Sequence, residues 1–223
     1  MKRKVTKSLI ERVYECHTCR MDYGFSSQDV DGPYFKFPPT IGAPGKAEVL
    51  FVGINPRLRG NRVLHRRLRR LAIFEEFALN RDGRRAFIAV GGPEPHYASH
   101  MAVVEGLFGP GAKFEDHAAA TELFFCASAN SKLLPESGSD CADEYLEDVL
   151  AQVEPRAIVC VGERVLKYVQ EQFDGGEARV FKRAGNGAFV VCIPHPADQR
   201  PTGAEREFSI EAAVVEIRSE LGL

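Results

Sequence analysis

Four of the six cysteines have a spacing that could hold a metal centre. Cys16 and Cys19 form a CxxC pair, and Cys126 and Cys141 follow much later with fourteen residues between them. Four thiolates suit either an iron–sulfur cluster or a tetrahedral zinc ion. Zinc sites usually close with a second short-spaced pair, and the later pair here is too wide for one. The spacing therefore favours a cluster, with zinc and a metal-free chain as the alternatives.

The other two cysteines and the start of the chain indicate the cellular setting. Cys160 and Cys192 lie inside short apolar runs, and free cysteine is among the residues most often buried, so we expect both in the core. The basic start, with Lys2, Arg3 and Lys4, continues into polar sequence, so no signal peptide is expected. We therefore expect a cytoplasmic protein, because a reducing compartment makes structural disulfides rare.

Two polar side chains follow apolar runs at points where a strand should give way to a loop. Asn55 follows the run that starts at Val49, where Gly53 permits a sharp turn and Pro56 stiffens the loop. His195 stands between two prolines after a later run. An imidazole at such a loop could stabilise negative charge on a leaving group. The alternatives are a turn-forming asparagine and a rigid surface histidine.

Positive charge is concentrated in the first third of the chain. Residues 1–74 contain fifteen Lys or Arg and six Asp or Glu, whereas the whole chain has a net charge of −2. The densest stretch, 57–70, contains seven arginines and begins directly after Pro56. We interpret this stretch as a phosphate-binding surface, which predicts a nucleic-acid partner despite the acidic remainder of the chain.

Short apolar runs alternate with amphipathic stretches along the chain. Strands are predicted at 49–52, 123–125, 157–161 and 189–193, with a weaker signal at 86–90. Helices are predicted at 61–79, 98–108, 141–153, 163–173 and 205–220. No apolar run is long enough to span a bilayer. The alternation predicts one domain over residues 1–223, a doubly wound α/β/α sandwich with a mostly parallel central sheet, whose ligands bind at the carboxyl ends of the strands.

Five segments of the chain occur in the same order as five motifs of a known protein family. They are Cys16–Cys19, Val52–Pro56, Thr121–Cys126, Cys141 and His195–Pro196. In this order, from about residue 14 to about residue 200, the chain resembles the iron–sulfur uracil-DNA glycosylases of families four and five. Its Gly-Ile-Asn-Pro sequence is similar to that of the mismatch-type uracil and thymine glycosylases. Five agreeing segments are far more specific than any one of them.

The resemblance implies a DNA-repair enzyme with a uracil-DNA glycosylase-like fold. It implies that Asn55 positions the attacking water and that His195 stabilises the departing base. The [4Fe-4S] ligands would be Cys16, Cys19, Cys126 and Cys141, with zinc as the alternative metal. The base would be bound by Gly53, Ile54, Glu122 and Tyr97, and DNA by Arg57, Arg59, Arg62, Arg66 and Arg200. The enzyme would be monofunctional, since neither strand-end motif has a lysine that could form a Schiff base.

Three positions depart from the family pattern. Glu122 stands where the family has an asparagine that binds N3–H and O4 of uracil. A carboxylate accepts from N3–H but repels O4, so it suits a base with two donors unless it is protonated. Arg57 replaces a glycine, and its bulk could fill the pocket or hold a phosphate. The family's Gly-x-Pro-Phe segment has no clear counterpart, which leaves Phe74, Phe77 and Tyr97 as candidates for stacking on the base.

Two functions from different classes follow from this pattern. The first is a monofunctional glycosylase that releases a deaminated or damaged base from DNA. The second is a DNA-binding or sensing protein on the same scaffold that has lost hydrolysis, which the residues at Glu122 and Arg57 favour. A zinc-bound regulatory domain without base chemistry is a more distant third. We expect a monomer with DNA, and no membrane, as its partner.

Overall fold

The computed structural model describes residues 7–16, 47–54, 95–123, 140–173, 175–176, 178–183, 187–195 and 209–223. The predicted helix at 61–79, the weaker strand at 86–90 and the arginine-rich stretch 57–70 lie outside these ranges. The prediction of a single domain over residues 1–223 therefore stays a prediction.

Five strands in the described residues form one sheet. They are β1 (Val49–Gly53), β2 (Ala118–Glu122), β3 (Ala157–Val161), β4 (Val180–Lys182) and β5 (Phe189–Ile193). Their order across the sheet is β2-β1-β3-β5-β4. Strands β2, β1, β3 and β5 are mutually parallel, and β4 runs antiparallel to β5 at one edge. The prediction of a mostly parallel sheet is confirmed.

Six helices lie in the same described ranges. They are α1 (Lys7–Glu15), α2 (Pro95–Phe108), α3 (Phe114–His117), α4 (Asp140–Val153), α5 (Glu163–Gln172) and α6 (Ile210–Leu221). Helix α6 begins where Ser209 caps it, because the Ser209 hydroxyl oxygen accepts from the Ala212 N–H at 3.0 Å. In the part of the chain that is described, no helix has the length and apolar content needed to cross a membrane.

The helices cover both faces of the sheet. One face presents Leu50 and Val52 of β1 to α1, α4 and α5. The other face presents Val49 and Phe51 to α2, α3 and α6. Every residue of β1, β3 and β5 is buried, which explains why these strands are apolar along their whole length. The arrangement is a mixed α/β fold that is compatible with an α/β/α sandwich.

The strand predicted at 123–125 begins too late, because Leu123 lies just beyond the end of a strand; residues 124 and 125 lie outside the described ranges. The strand in this region is β2, which ends at Glu122, so that the apolar Leu-Phe-Phe run follows it. The apolar run has the higher intrinsic strand propensity, but pairing with β1 selects the alanines, with Val49 opposite Ala118 and Gly53 opposite Glu122. The shift brings Glu122 to the carboxyl end of a strand.

The other predicted elements in the described ranges are confirmed, with shifted bounds for the helices. These are the strands at 49–52, 157–161 and 189–193 and the helices at 98–108, 141–153, 163–173 and 205–220. Sequence patterns do not predict α1, which is short and largely polar, or β4, which has three residues and no fully buried side chain. Both elements depend on tertiary contacts more than on local propensity.

Candidate active site

The carboxyl ends of the parallel strands bring several predicted site residues to one edge of the sheet. Gly53 ends β1 and Ile54 follows it, while Glu122 ends the neighbouring strand β2. His195 lies two residues beyond the end of β5. Ligands of open α/β sheets bind outside this edge. The structure therefore brings three of the four predicted base-binding residues, and one of the two predicted catalytic residues, to the same edge of the sheet.

Backbone hydrogen bonds continue the ladder past the strand ends. The Leu123 N–H donates to the Gly53 carbonyl at 2.9 Å, and the Gly162 N–H donates to the Ile193 carbonyl at 2.9 Å. Because the sheet fixes the backbone on both sides of these bonds, the residues that follow β2 and β3 start from defined positions.

A crevice is expected between the ends of β1 and β3. The next described element after β1 is α2, on one face of the sheet, whereas β3 leads directly into α5 on the other face. Adjacent strands whose following helices lie on opposite faces mark the ligand-binding switch point of this fold class. Glu122 lies on one side of this point and His195 on the other, about 14 Å apart at the backbone for three strand spacings.

Glu122 lies across the end of β1, in the space that Gly53 leaves open. A Cβ atom on Gly53 would be 2.8 Å from Cδ and 2.9 Å from Oε1 of Glu122, which is closer than real Cβ contacts allow. Glu122 as a residue keeps part of its surface accessible, but its Oε2 oxygen is shielded from solvent. No donor in the described part of the chain is hydrogen bonded to Oε2.

Burial changes the protonation of Glu122. It raises the pKa of the carboxyl group from 4.5 to about 8, because the charged form is poorly solvated there. The group is therefore mostly a neutral acid at pH 7. Since the folded-state pKa is the higher one, the stability that the neutral form contributes is fully present below pH 4.5 and is lost as the pH rises through about 8.

His195 packs against Gly162 at the start of α5. A Cβ atom on Gly162 would lie 3.1 Å from the His195 Cβ, so a side chain there would press on the histidine. Gly162 also has a φ of 97°, a backbone conformation that favours glycine, and it caps α5. The amino terminus of α5, which is the positive end of its helix dipole, therefore lies beside His195. The strand–glycine–helix turn fixes the backbone against which the imidazole is held.

Helix α2 points its first turn toward the candidate site. Its last residue, Phe108, stacks on His117 at 3.9 Å, and His117 directly precedes β2 at the amino edge of the sheet. The helix therefore runs antiparallel to the strands. Its first turn, which contains Tyr97, therefore lies toward the carboxyl edge of the sheet.

Sequence analysis does not identify His100, which is buried on α2 with 3% of its surface exposed. Its ring lies 4.3 Å from that of Phe51 and 6.1 Å from that of Phe114. Its burial could have been predicted from the sequence, because His100, Val103 and Leu107 recur at helical spacing on one apolar face. His100 supports the helix on the sheet face that also carries Glu122.

Two of the four predicted metal ligands come to one region beside the other sheet face. Helices α1 and α4 run antiparallel, with Arg12 paired to Asp148. One turn further on, Tyr145 lies beside Cys16, and burial, followed by hydrogen-bonding contacts with Glu144 and Cys16, raises the pKa of Tyr145 well above its usual value. Cys141 is buried one turn before Tyr145 on α4. The end of α1 therefore places Cys16 toward the first turn of α4, which contains Cys141.

The expectation that Cys160 and Cys192 belong to the core is confirmed. They are 0% and 3% exposed and lie opposite each other on β3 and β5. Burial raises the pKa of Cys192 to about 12, and burial followed by the nearby Cys192 raises the pKa of Cys160. Both therefore stay thiols, which are poor metal ligands.

Several predicted site residues lie outside the described ranges, so their roles stay predictions. They are Asn55, Arg57, Arg59, Arg62, Arg66, Arg200, Cys19 and Cys126. Among the described residues there is no group of three or more metal-binding side chains, and only two of the four predicted ligands fall within them. The side chain of Tyr97 is likewise not described.

A groove of about 780 Å³ lies at the opposite, amino edge of the sheet. Most of its charged groups are engaged with protein atoms: Arg183 pairs with Glu147 at 2.6 Å, and Arg156 donates to the Leu221 carbonyl at 2.9 Å. Glu220 on its wall pairs with Lys182 at 2.7 Å. Because these charges compensate one another, the carboxyl edge is the better candidate for ligand chemistry despite the size of this groove.

Replacement of Gly53 with alanine should displace Glu122 from the end of β1. The added methyl group overlaps the carboxyl group, so the side chain must turn toward solvent and its pKa should return toward 4.5. The carboxyl ¹³C shift followed over pH measures this change. Gly106→Ala is the matched control, since its methyl group would meet Val214 at 2.8 Å at the α2–α6 contact. An unchanged Glu122 titration in Gly53→Ala would contradict the predicted displacement.

Comparison of the chain with protein-family models and with curated proteins finds no match. The class of protein that the structure defines is therefore a mixed α/β fold with a mostly parallel sheet and a candidate site at the carboxyl ends of its strands.

Proposed function

We propose that the protein is a DNA glycosylase that hydrolyses the bond between deoxyribose and a deaminated or damaged base. The observation that carries the proposal is the position of Glu122 over Gly53 and of His195 over Gly162, on either side of the switch point. The finer fold assignment, a doubly wound sandwich of the uracil-DNA glycosylase type, belongs to the same proposal.

His195 would act on the leaving group. As the glycosidic bond lengthens, the sugar gains oxocarbenium character and negative charge builds on the departing base. A fixed imidazole N–H at the strand edge stabilises that charge without reorganisation in the transition state. Asn55, the residue after Ile54, would hold the attacking water through its amide. The two groups start from different strands, so they can act on opposite sides of the bond.

The base has to leave the duplex before these groups can reach it. Enzymes that act on a base extrude it into a pocket and bind its polar edge and its ring faces. In the proposed site Glu122 meets the polar edge, and Tyr97 in the first turn of α2 is the candidate for stacking on the ring. Arg200 would contact a phosphate beside the extruded nucleotide.

The cysteines present fit a [4Fe-4S] cluster as far as they are described. Cys16 and Cys141 are brought toward each other by the antiparallel contact of α1 and α4, and Cys19 and Cys126 would complete the set. A four-thiolate donor set also suits zinc. Bound there, the cluster would cross-link the amino-terminal segment to α4, a structural role away from His195.

Neutralising the arginines at 59, 62 and 66 should weaken DNA binding for all sequences alike. Each lost phosphate contact lowers the slope of log K against log salt by roughly one unit, so the triple alanine variant should bind DNA with a visibly shallower slope. The control is a second triple alanine variant, at the exposed residues Lys113, Lys167 and Lys182. It removes the same number of positive charges outside the arginine-rich stretch 57–70. An unchanged slope in the arginine variant would assign these side chains to a solvated surface.

A DNA-binding protein that has lost hydrolysis is the second candidate. The specific observation in its favour is the burial of a carboxyl group, Glu122, where the similar glycosylases have an amide. Incubation with duplex and single-stranded oligonucleotides containing uracil, hypoxanthine, xanthine or mismatched thymine separates the two functions. Alkali-sensitive sites at one of these bases support the glycosylase, and binding without such sites supports the alternative.

A further inference from the structure

We propose that Glu122 binds the extruded base as a neutral carboxylic acid, through paired hydrogen bonds to an N–H donor and a neighbouring carbonyl acceptor. The inference rests on the proposed function and names the substrate class of the same site. Bases with such a lactam edge include uracil, hypoxanthine and xanthine, the deamination products of the DNA bases. Thymine and guanine share this edge, so contacts other than those of Glu122 must reject them.

The geometry supports a carboxyl group that needs a partner from outside the described protein. The group lies over Gly53, with Oε2 nearest to where a side chain would begin and Cδ and Oε1 each within 3 Å of that point. Oε2 is shielded from solvent and has no hydrogen-bonding partner in the described residues. A buried polar atom without a partner is costly, so a ligand that supplies one gains the full hydrogen bond.

The surroundings keep the carboxyl group neutral. Burial raises its pKa to about 8, and none of the described residues contributes a charge to this shift. Titratable groups are present on the described elements around it. They include His100 and Glu105 on α2, Glu163 and Arg164 on α5, His195 beyond β5, Cys141, Asp143, Glu144 and Tyr145 on α4, and Glu115, Asp116 and His117 on α3 at the other end of β2.

Protonation decides which base edge the group can bind. A carboxylate offers only acceptors, so it repels a base carbonyl. The neutral acid accepts from the base N–H through its carbonyl oxygen and donates its O–H to the base carbonyl, which makes two parallel bonds. Because the proton can occupy either oxygen, rejection of the amidine edge of cytosine must come from other contacts. Binding of the base is therefore gated by pH.

The test compares binding to two duplexes, one with a single 2′-fluorinated deoxyuridine, which resists hydrolysis, and the same duplex without it. The ratio of the two affinities is the preference for the base. For the wild type this preference should fall about tenfold between pH 7 and pH 9, as the neutral fraction of Glu122 falls. Glu122→Gln offers the same donor and acceptor without titrating, so it should keep the preference. Ionisation of the base at high pH lowers the affinity of the wild type and of Glu122→Gln by the same factor, so the difference between them reports Glu122. Glu122→Leu should lack the preference at every pH.

Three results would overturn the inference: a wild-type preference that does not change with pH, a parallel loss in Glu122→Gln, or a preference retained by Glu122→Leu. The same samples are assayed for release of base from hydrolysable uracil DNA. If the pH-gated preference is present and no base is released, the glycosylase function fails while the role of Glu122 stands. If base is released and the preference does not depend on pH, the function stands and the inference fails.

Discussion

Replacement of His195 with alanine should lower single-turnover base excision by about a hundredfold or more, the scale found for removal of a positioned transition-state donor. DNA affinity should change little, because the imidazole acts on charge that develops only as the bond breaks. Asn55→Ala should have an effect of similar size through loss of the positioned water. Single-turnover rates with excess enzyme measure both effects.

His117→Ala is the matched control for His195→Ala. His117 is also partly exposed and lies against an aromatic ring, but at the amino edge of the sheet, beside Glu48 at 3.5 Å. Its removal should leave excision at the wild-type rate. If His195→Ala and Asn55→Ala both match the wild type in a reaction that does occur, the assignment of the active site to this edge is wrong.

Replacement of Cys16 or Cys141 with alanine should remove bound iron and much of the stability of the fold together. Metal binding to thiolates is coupled to folding, so the loss of one ligand releases the cluster and the constraint between α1 and α4. Protein purified without oxygen should be brown with broad visible absorption. Iron and sulfide content and the midpoint of thermal unfolding measure the effect.

Cys160→Ala is the control for the ligand variants. It removes a thiol that is fully buried in the sheet, so some stability should be lost through packing while the iron content stays at the wild-type value. Stoichiometric zinc without iron or sulfide in the wild type would contradict the cluster. Iron that survives in both Cys16→Ala and Cys141→Ala would assign the ligands to other residues.

The strands that sequence analysis predicts correctly are those whose burial is complete. β1, β3 and β5 are covered on both faces, so each is a continuous apolar run that the sequence displays directly. β2 is different because its alanines have low strand propensity and are selected by their pairing with β1. Pairing of this kind is a tertiary property that a local pattern does not contain.

The candidate site, like the sheet, is predicted by the sequence only in part. The sequence places Gly53 and His195 at the ends of predicted strands but puts Glu122 just before one, and the observed pairing of β2 with β1 brings Glu122 to the same edge. The sequence does not predict that Glu122 turns across Gly53 and is buried there, since this depends on the register of β2 against β1. The protonation of Glu122 is a consequence of that burial, so it too requires the structure.

The most direct test of the proposed glycosylase is mass-spectrometric detection of the free base after incubation with duplex DNA that contains a single uracil or hypoxanthine. The double variant Asn55→Ala, His195→Ala, purified in parallel, measures any contaminating activity. We expect release of one free base per abasic site, a DNA strand that stays uncut until alkali is added, and no release by the double variant. Tight DNA binding with no base released from any DNA in the panel, or equal release by the double variant, would contradict the proposed function.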